Sequence, residues 1–147
     1  MIKVLIIDDS ALVREILSRI IDQEKDMEVV ATAMDPYYAV EKIKRFRPDV
    51  ITLDVEMPRM NGLDFLKRLM SSHPLPVIMI SSWTKANSEA TIKALEIGAV
   101  DFVAKPENSL KKNLYQLEEE LTAKIRTAAI SNLSNLQRKH SSTIESN

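Results

Sequence analysis

The stretch VLIIDD, residues 4–9, sets four apolar side chains in a row directly before two aspartates. A run of apolar residues without alternation is typical of a strand buried on both faces, as in a parallel sheet covered by helices. The stretch VIMISS, residues 77–82, repeats this pattern with two serines in place of the aspartates. Both stretches therefore predict central strands of a parallel sheet, and each brings polar groups to its carboxyl end.

Short β-rich runs alternate with longer helical segments along residues 1–105. The predicted strands are residues 3–7, 28–33, 50–53, 77–80 and 100–103. The first predicted helix carries apolar residues at 13, 16, 17 and 20. The second covers residues 36–46, and the third follows residue 62. The fourth covers residues 87–97, with Gly98 as its C-cap. This alternation predicts an α/β fold with a doubly wound, five-stranded parallel sheet and helices on both faces.

The chain after Pro106 predicts a different organisation. Leucines at 110, 114, 117 and 121 predict an amphipathic helix from about residue 109 to 125 or beyond. We interpret it as the last packing helix of the domain; a longer helix used for dimerisation or domain linkage is the alternative. Polar and charged residues dominate from Ser131, so residues 141–147 are expected to be disordered. The sequence thus divides into a domain over residues 1–125 and a partly disordered helical extension or linker over residues 126–147.

Composition excludes several classes of function. The 147 residues carry a formal net charge of −1, so no basic field would attract nucleic acid or an anionic membrane. The absence of cysteine excludes disulfides, thiolate metal sites and cysteine nucleophiles, and two glycines are too few for a Walker P-loop or a dinucleotide-binding loop. No apolar run approaches the roughly 20 residues that span a bilayer. We therefore expect a cytoplasmic protein with no nucleic-acid partner and no membrane insertion.

Polar side chains stand at the carboxyl ends of four predicted strands. Asp8-Asp9 follow the first strand, Asp54 the third, Ser81-Ser82 the fourth and Lys105-Pro106 the fifth. In a doubly wound sheet ligands bind beyond this edge, so these groups are expected to meet there. Close carboxylates repel one another unless a cation joins them, and oxygen ligands of this kind suit Mg²⁺. One aspartate would remain able to attack phosphorus, while a lysine neutralises charge on the transferred group.

These residues resemble a known family. Asp8-Asp9, Asp54 with Pro58 and Gly62 after it, Ser81, and Lys105-Pro106 together resemble the response-regulator receiver domain of two-component signalling, over about residues 1–125. The stretches DPYYAVEKIKRFRPDVITLDVEMPRMNGLDFLKRLM (35–70), PVIMISS (76–82) and GAVDFVAKP (98–106) resemble, more narrowly, the N-terminal receiver of the chemotaxis protein-glutamate methylesterase. The resemblance implies a flavodoxin-like sheet with strand order 2-1-3-4-5.

The resemblance also implies roles for the acidic residues. Asp54 would be the phosphoacceptor and a magnesium ligand. Asp9 would hold Mg²⁺ directly and Asp8 through water, while Glu56 would offer its backbone carbonyl to the metal. The implied cofactor is therefore Mg²⁺.

Three further residues take switch and phosphate-binding roles by resemblance. Ser81 occupies the position of the switch hydroxyl. Lys105 would bind the phosphoryl oxygens, and its peptide bond to Pro106 is expected to be cis. Phe102 matches the aromatic switch position; plain core packing on the fifth strand is the alternative interpretation.

The implied function is phosphorylation-dependent regulation in a chemotaxis system. A chemotaxis-type sensor histidine kinase would donate the phosphoryl group, and Mg²⁺-dependent self-phosphorylation and dephosphorylation would be the chain's own activity. A methylesterase output domain, which these 147 residues do not include, would be regulated. The alternative is a stand-alone response regulator that acts as a phosphate carrier or a protein-binding switch. A haloacid-dehalogenase-type hydrolase is disfavoured, because those enzymes carry D-x-D rather than adjacent aspartates; a dimerisation module on the leucine helix, or a weak homodimer, stays open.

Overall fold

The computed structural model of the protein describes residues 1–55, 62–82, 89–105 and 111–145. Five strands alternate with five helices along the described chain. The strands are β1 (Ile2–Ile7), β2 (Met27–Ala33), β3 (Val50–Asp54), β4 (Val77–Ser82) and β5 (Asp101–Lys105). The helices are α1 (Ala11–Asp22), α2 (Pro36–Phe46), α3 (Gly62–Ser72), α4 (Glu89–Ile97) and α5 (Lys111–Glu145).

The strands form one parallel sheet in the order β2-β1-β3-β4-β5. One side of the sheet packs against α2, α3 and α4 through a cluster that includes Ile43, Phe65 and Ala94. The other side packs against α1 and α5 through a second cluster that includes Leu17 and Leu121. The doubly wound fold and its strand order are confirmed. The central strands are buried on both faces, which is the reason for their unbroken apolar runs.

Strand β5 begins and ends later than predicted. Hydrogen bonding to β4 pairs Ile78 with Asp101 and Ser82 with Lys105, so Lys105 is itself the last residue of the strand. Val100, expected inside the strand, precedes it and is exposed. β-propensity pointed to Val100, but the hydrogen-bond ladder with the neighbouring strand decides where pairing begins.

Local chemistry explains the helix starts. The hydroxyl of Ser10 caps α1 by accepting a hydrogen bond from the amide of Val13 at 3.3 Å. Asp35 caps α2 in the same way, and Pro36 occupies its first turn, so α2 has the bounds that the sequence predicts. The described part of α4 begins at Glu89, and the predicted start at Asn87 lies outside the described residues.

Gly98 follows α4 in a backbone conformation that favours glycine. Its φ is +142°, a conformation that L side chains rarely adopt. A Cβ at this position would also lie 3.1 Å from the side chain of Met70 on α3. The glycine therefore allows both the turn into β5 and the close packing of α3 against α4.

Helix α5 continues past residue 125, which the sequence left open. Leu117, Leu121, Ile125 and Ala128 are buried against the sheet, as the packing-helix interpretation requires, and this contact continues three residues past 125. The helix then extends to Glu145, so residues 141–145 are helical where disorder was expected. No glycine or proline interrupts residues 111–145, and intrinsic propensity therefore permits this length. In the described part of the chain, no helix has the length and apolar character needed to cross a membrane.

Candidate functional site

Three carboxylates meet at the carboxyl edge of the sheet. The parallel register pairs Ile7 with Leu53, so the residues that follow them, Asp8 and Asp54, lie side by side. Asp8 and Asp54 are buried, whereas Asp9 is exposed. One carboxylate oxygen from each of the three aspartates lies within 4.8 Å of the other two. The structure thus brings the predicted acidic residues together.

Lys105 lies within this cluster. Its Nζ is 3.0 Å from Oδ2 of Asp8 and 3.5 Å from Oδ2 of Asp54. Burial acts to lower the pKa of Lys105, but attraction to the Asp54 and Asp8 carboxylates outweighs it and raises this pKa above its ordinary value. The ammonium therefore stays charged over the physiological pH range and partly neutralises two buried acids.

The donor set fits a divalent cation. Three carboxylates and one ammonium leave two negative charges in the cluster. Oxygen ligands are those that Mg²⁺ prefers, and it commonly uses one or two carboxylates together with water. A bound ion would be accessible to water on the side of the exposed Asp9 and shielded from water on the side of the buried Asp8 and Asp54.

The turn after β1 holds Asp8 in one orientation. The amide of Ser10 donates to Asp8 Oδ1 at 2.9 Å, which leaves Oδ2 directed at Lys105. Arg14, one turn into α1, donates from Nη1 to the carbonyl oxygen of Asp8 at 2.7 Å. Neither Ser10 nor Arg14 was among the site residues predicted from the sequence. Ser10 could have been found as an N-cap directly before the first apolar helix residue, but nothing in the sequence pattern pointed to Arg14.

Ser81 contributes a buried hydroxyl beside the cluster. Asp54 pairs with Ile80 across β3 and β4, so Ser81 is the next residue towards the carboxyl edge. Ser81 is fully buried, and its Oγ makes no hydrogen bond within the described residues. Thr52 shares this property but lies inside β3, two residues before Asp54. Buried polar groups normally have partners, so the Ser81 hydroxyl at the sheet edge is suited to donate to a bound oxygen.

Phe102 lies on β5, apart from the acidic cluster. Its ring is partly buried and packs against the core cluster on the α2–α4 side of the sheet. This position agrees with core packing on β5, and the switch role of Phe102 stays a prediction. The remaining predicted features, Glu56, Pro58 and the Lys105–Pro106 peptide, lie outside the described residues.

A concave surface among the described residues lies away from the three aspartates. It is a groove of about 600 Å³ between α2 and α3, with mainly apolar side chains at its base, among them Ile43, Phe65 and Leu69. None of the three clustered aspartates lines it. The chemistry expected from the sequence therefore does not involve the groove.

Known proteins are similar to this chain in sequence. A family model described as the response regulator receiver domain matches residues 4–115. The protein-glutamate methylesterase/protein-glutamine glutaminase of Chromohalobacter salexigens is 59% identical over 128 residues, which make up 87% of this chain and 36% of that protein. The chain thus spans about a third of the length of this curated relative.

Two solved structures show the same fold. The response regulator domain of Thermotoga maritima CheB has a TM-score of 0.79 and 48% identity, and the match covers 88% of this chain and 96% of that one. A chain in the crystal structure of the P1 domain of CheA3 in complex with CheY6 from R. sphaeroides has a TM-score of 0.71 and 33% identity, covering 86% of this chain and 95% of that one. Sequence, fold and the position of the aspartates lead to one conclusion: the chain belongs to the response regulator receiver domain family.

Proposed function

We propose that this receiver accepts a phosphoryl group on Asp54 and uses it to regulate a chemotaxis output. The observation that carries the proposal is the buried Asp54 carboxylate, which lies in a cluster with two further aspartates and 3.5 Å from the ammonium of Lys105. A carboxylate in such surroundings is an established type of phosphoryl acceptor.

The transfer step follows from ordinary phosphoryl chemistry. A carboxylate oxygen of Asp54 attacks the phosphorus of a phosphohistidine, a P–O bond forms and the P–N bond breaks. The electron pair of the broken bond returns to the imidazole nitrogen, which takes up a proton. Lys105 can balance charge on the phosphoryl oxygens, since its raised pKa keeps it protonated. The Ser81 hydroxyl, which has no partner within the described residues, can donate to one of those oxygens.

Asp8, Asp9 and Asp54 would hold Mg²⁺, and the backbone carbonyl of Glu56 is proposed as a further ligand by resemblance. When bound, Mg²⁺ supplies positive charge that offsets the negative charge of the phosphoryl group. The chain's own part is to fix the ligands: Ser10 and Arg14 orient Asp8, and the strand register holds Asp54 beside it.

The proposed partners follow from the relatives. The solved complex of CheY6 with a CheA3 domain supports a chemotaxis-type sensor histidine kinase as the phosphoryl donor. The full-length curated relative is a methylesterase and glutaminase, which supports a methylesterase output domain as the regulated element. The proposed role of this chain is therefore regulatory, and the esterase chemistry would belong to the output domain.

The proposal is tested by mass spectrometry of the intact chain after incubation with acetyl phosphate and Mg²⁺. The wild-type chain should gain one phosphoryl group, and a chelator that removes Mg²⁺ should suppress the gain. A mass that stays unchanged at every donor concentration would contradict the proposed function.

The variants Lys105→Met and Ser81→Ala should each still accept the phosphoryl group. The structural change that follows phosphorylation should be smaller in both than in wild type. A hydrogen bond to a charged group contributes about 1.5–3 kcal/mol, whereas moving a two-state equilibrium from 1:99 to 99:1 needs about 5.5 kcal/mol. Neither contact reaches that figure alone, so both should be required for a full response. The measurement is the change in backbone amide NMR shifts of α4 and Phe102 when beryllofluoride is added as a phosphoryl mimic. Shifts of wild-type size in both variants would contradict this mechanism.

A further inference from the structure

A lysine on α5 makes four contacts around Phe102. Lys124 Nζ donates to the carbonyl oxygen of Phe102 at 2.7 Å and to Oε1 of Glu120 at 2.8 Å. The same nitrogen is 3.4 Å from Oδ1 of Asp101 and 5.4 Å from the centroid of the Phe102 ring. An ammonium has three donors, and three oxygen partners surround this one. Its position is therefore well defined.

Side chains provide the hydrogen-bond partners of the Phe102 backbone at the edge of the sheet. Strand β5 is the last in the order, so its outer backbone groups have no neighbouring strand. The amide of Phe102 donates to Oδ1 of Asp101 at 2.8 Å, and its carbonyl oxygen accepts from Lys124. Both backbone polar groups of the residue thus have side-chain partners, and the Lys124 ammonium also lies within cation–π distance of the ring.

Lys124 also connects the two sides of the sheet. The ring of Phe102 packs with the cluster that contains Ala94 and Ile97 of α4. The buried residues of α5, among them Leu121 and Ile125, belong to the cluster on the opposite side. Through its contacts with Phe102, Lys124 links α5 to the edge strand. A movement of the Phe102 ring would break its contact with the Lys124 ammonium and so remove one link between β5 and α5.

We propose that Lys124 is a positioning residue that holds Phe102 in its partly buried place and so opposes the phosphorylated state. This inference rests on the proposed function of Asp54 and on the switch role that the family resemblance implies for Phe102, because it concerns how the chain responds to a phosphoryl group. The ring position described here gains the cation–π contact, and a displaced ring loses it. Lys124 therefore biases the resting equilibrium and couples Phe102 to α5.

A purely structural role makes a different prediction. If Lys124 only protects the edge of β5, its removal lowers the stability of the fold and leaves the affinity for a phosphoryl mimic unchanged. Arg126 offers a matched control on the same helix, since it joins α5 to Asp26 at 2.8 Å and to Glu24 at 3.1 Å, away from β5. Removing either cation takes away a link between α5 and the rest of the domain.

The experiment is a titration of the full chain with beryllofluoride in saturating Mg²⁺, followed by the amide signals of α4 and β5. Lys124→Met, which keeps the aliphatic stem, should bind roughly two- to five-fold more tightly, the factor that corresponds to one cation–π contact at an exposed site. Arg126→Met should stay within about two-fold of wild type, and Lys124→Arg, which keeps the cation, should do the same. In a Phe102→Leu background, Lys124→Met should change the affinity by less than about two-fold, since the ring is gone.

The outcomes separate the two proposals. If wild type and Lys124→Met bind beryllofluoride with the same affinity, the role proposed for Lys124 is wrong. The role proposed for Asp54 is not affected by that result. Equal changes in Lys124→Met and Arg126→Met would also overturn it, because a general loosening of α5 would then explain both. If wild type binds no beryllofluoride, the proposed function fails and this inference fails with it.

Discussion

Asp54→Asn should abolish phosphorylation by acetyl phosphate. An amide oxygen is a far weaker nucleophile than a carboxylate oxygen, so the rate should fall by more than about 10³-fold. The side chains are nearly the same in shape, and Asp8 would still pair with Lys105 at 3.0 Å. The fold should therefore survive the change. Mass spectrometry of the intact chain in the presence of Mg²⁺ measures the effect.

Asp64→Asn is the matched control for this variant. Asp64 is an exposed carboxylate in the first turn of α3, outside the cluster of three aspartates. The Asp64→Asn chain should accept one phosphoryl group on Asp54 at the wild-type rate. A phosphorylated Asp54→Asn chain, with the group located on another residue, would remove Asp54 from its proposed role.

Asp9→Ala should weaken Mg²⁺ binding by at least about tenfold, since the loss even of an outer partner of a metal ligand has an effect of that size. Asp9 supplies the exposed oxygen of the three-carboxylate cluster. Isothermal titration calorimetry with Mg²⁺ measures the affinity, and Asp64→Ala serves as the control that removes a carboxylate elsewhere. Affinity within two-fold of wild type in Asp9→Ala would show that the metal is held without this residue.

Asp9→Ala should be more stable than wild type without metal and less stable than wild type when Mg²⁺ is added. Without metal, loss of one repelling carboxylate should raise the free energy of unfolding by about 1 kcal/mol, the size of a close like-charge contact in water. At a Mg²⁺ concentration 100 times the dissociation constant, wild type should gain about 2.7 kcal/mol, and the variant, which binds more weakly, should gain less. Thermal unfolding with and without Mg²⁺ follows both changes. Parallel gains in the two proteins would argue against a metal role for Asp9.

The positions of the central strands and of helix α2 could be predicted because their signals are local. An apolar run such as residues 77–80 marks a strand buried on both faces wherever it stands in the sheet. Asp35 and Pro36 define the start of α2 by capping chemistry that acts within a few residues. The candidate acids and Lys105 could also be selected, because each stands at the carboxyl end of a predicted strand.

Other features depended on partners that are distant in sequence. The start of β5 at Asp101 follows from its pairing with Ile78, which no property of Val100 or Asp101 reveals. The end of α5 could not be placed from the sequence, because the polar composition after Ser131 suggested disorder over residues 141–147, whereas the helix continues to Glu145. The contacts of Lys124 with Phe102 require α5 to lie against the edge strand, and a lysine in an amphipathic helix is ordinarily a solvated residue.

The sequence by itself determined the fold class, the order of the elements and the residues at the sheet edge, because hydrophobic periodicity and strand ends are properties of short segments. Only the tertiary structure decided which of those residues meet and how. It placed Lys105 between Asp8 and Asp54, left the Ser81 hydroxyl without a partner among the described residues and set Lys124 beside Phe102. The physical reason is that strand register and helix packing set these distances, and both depend on burying the whole apolar surface at once.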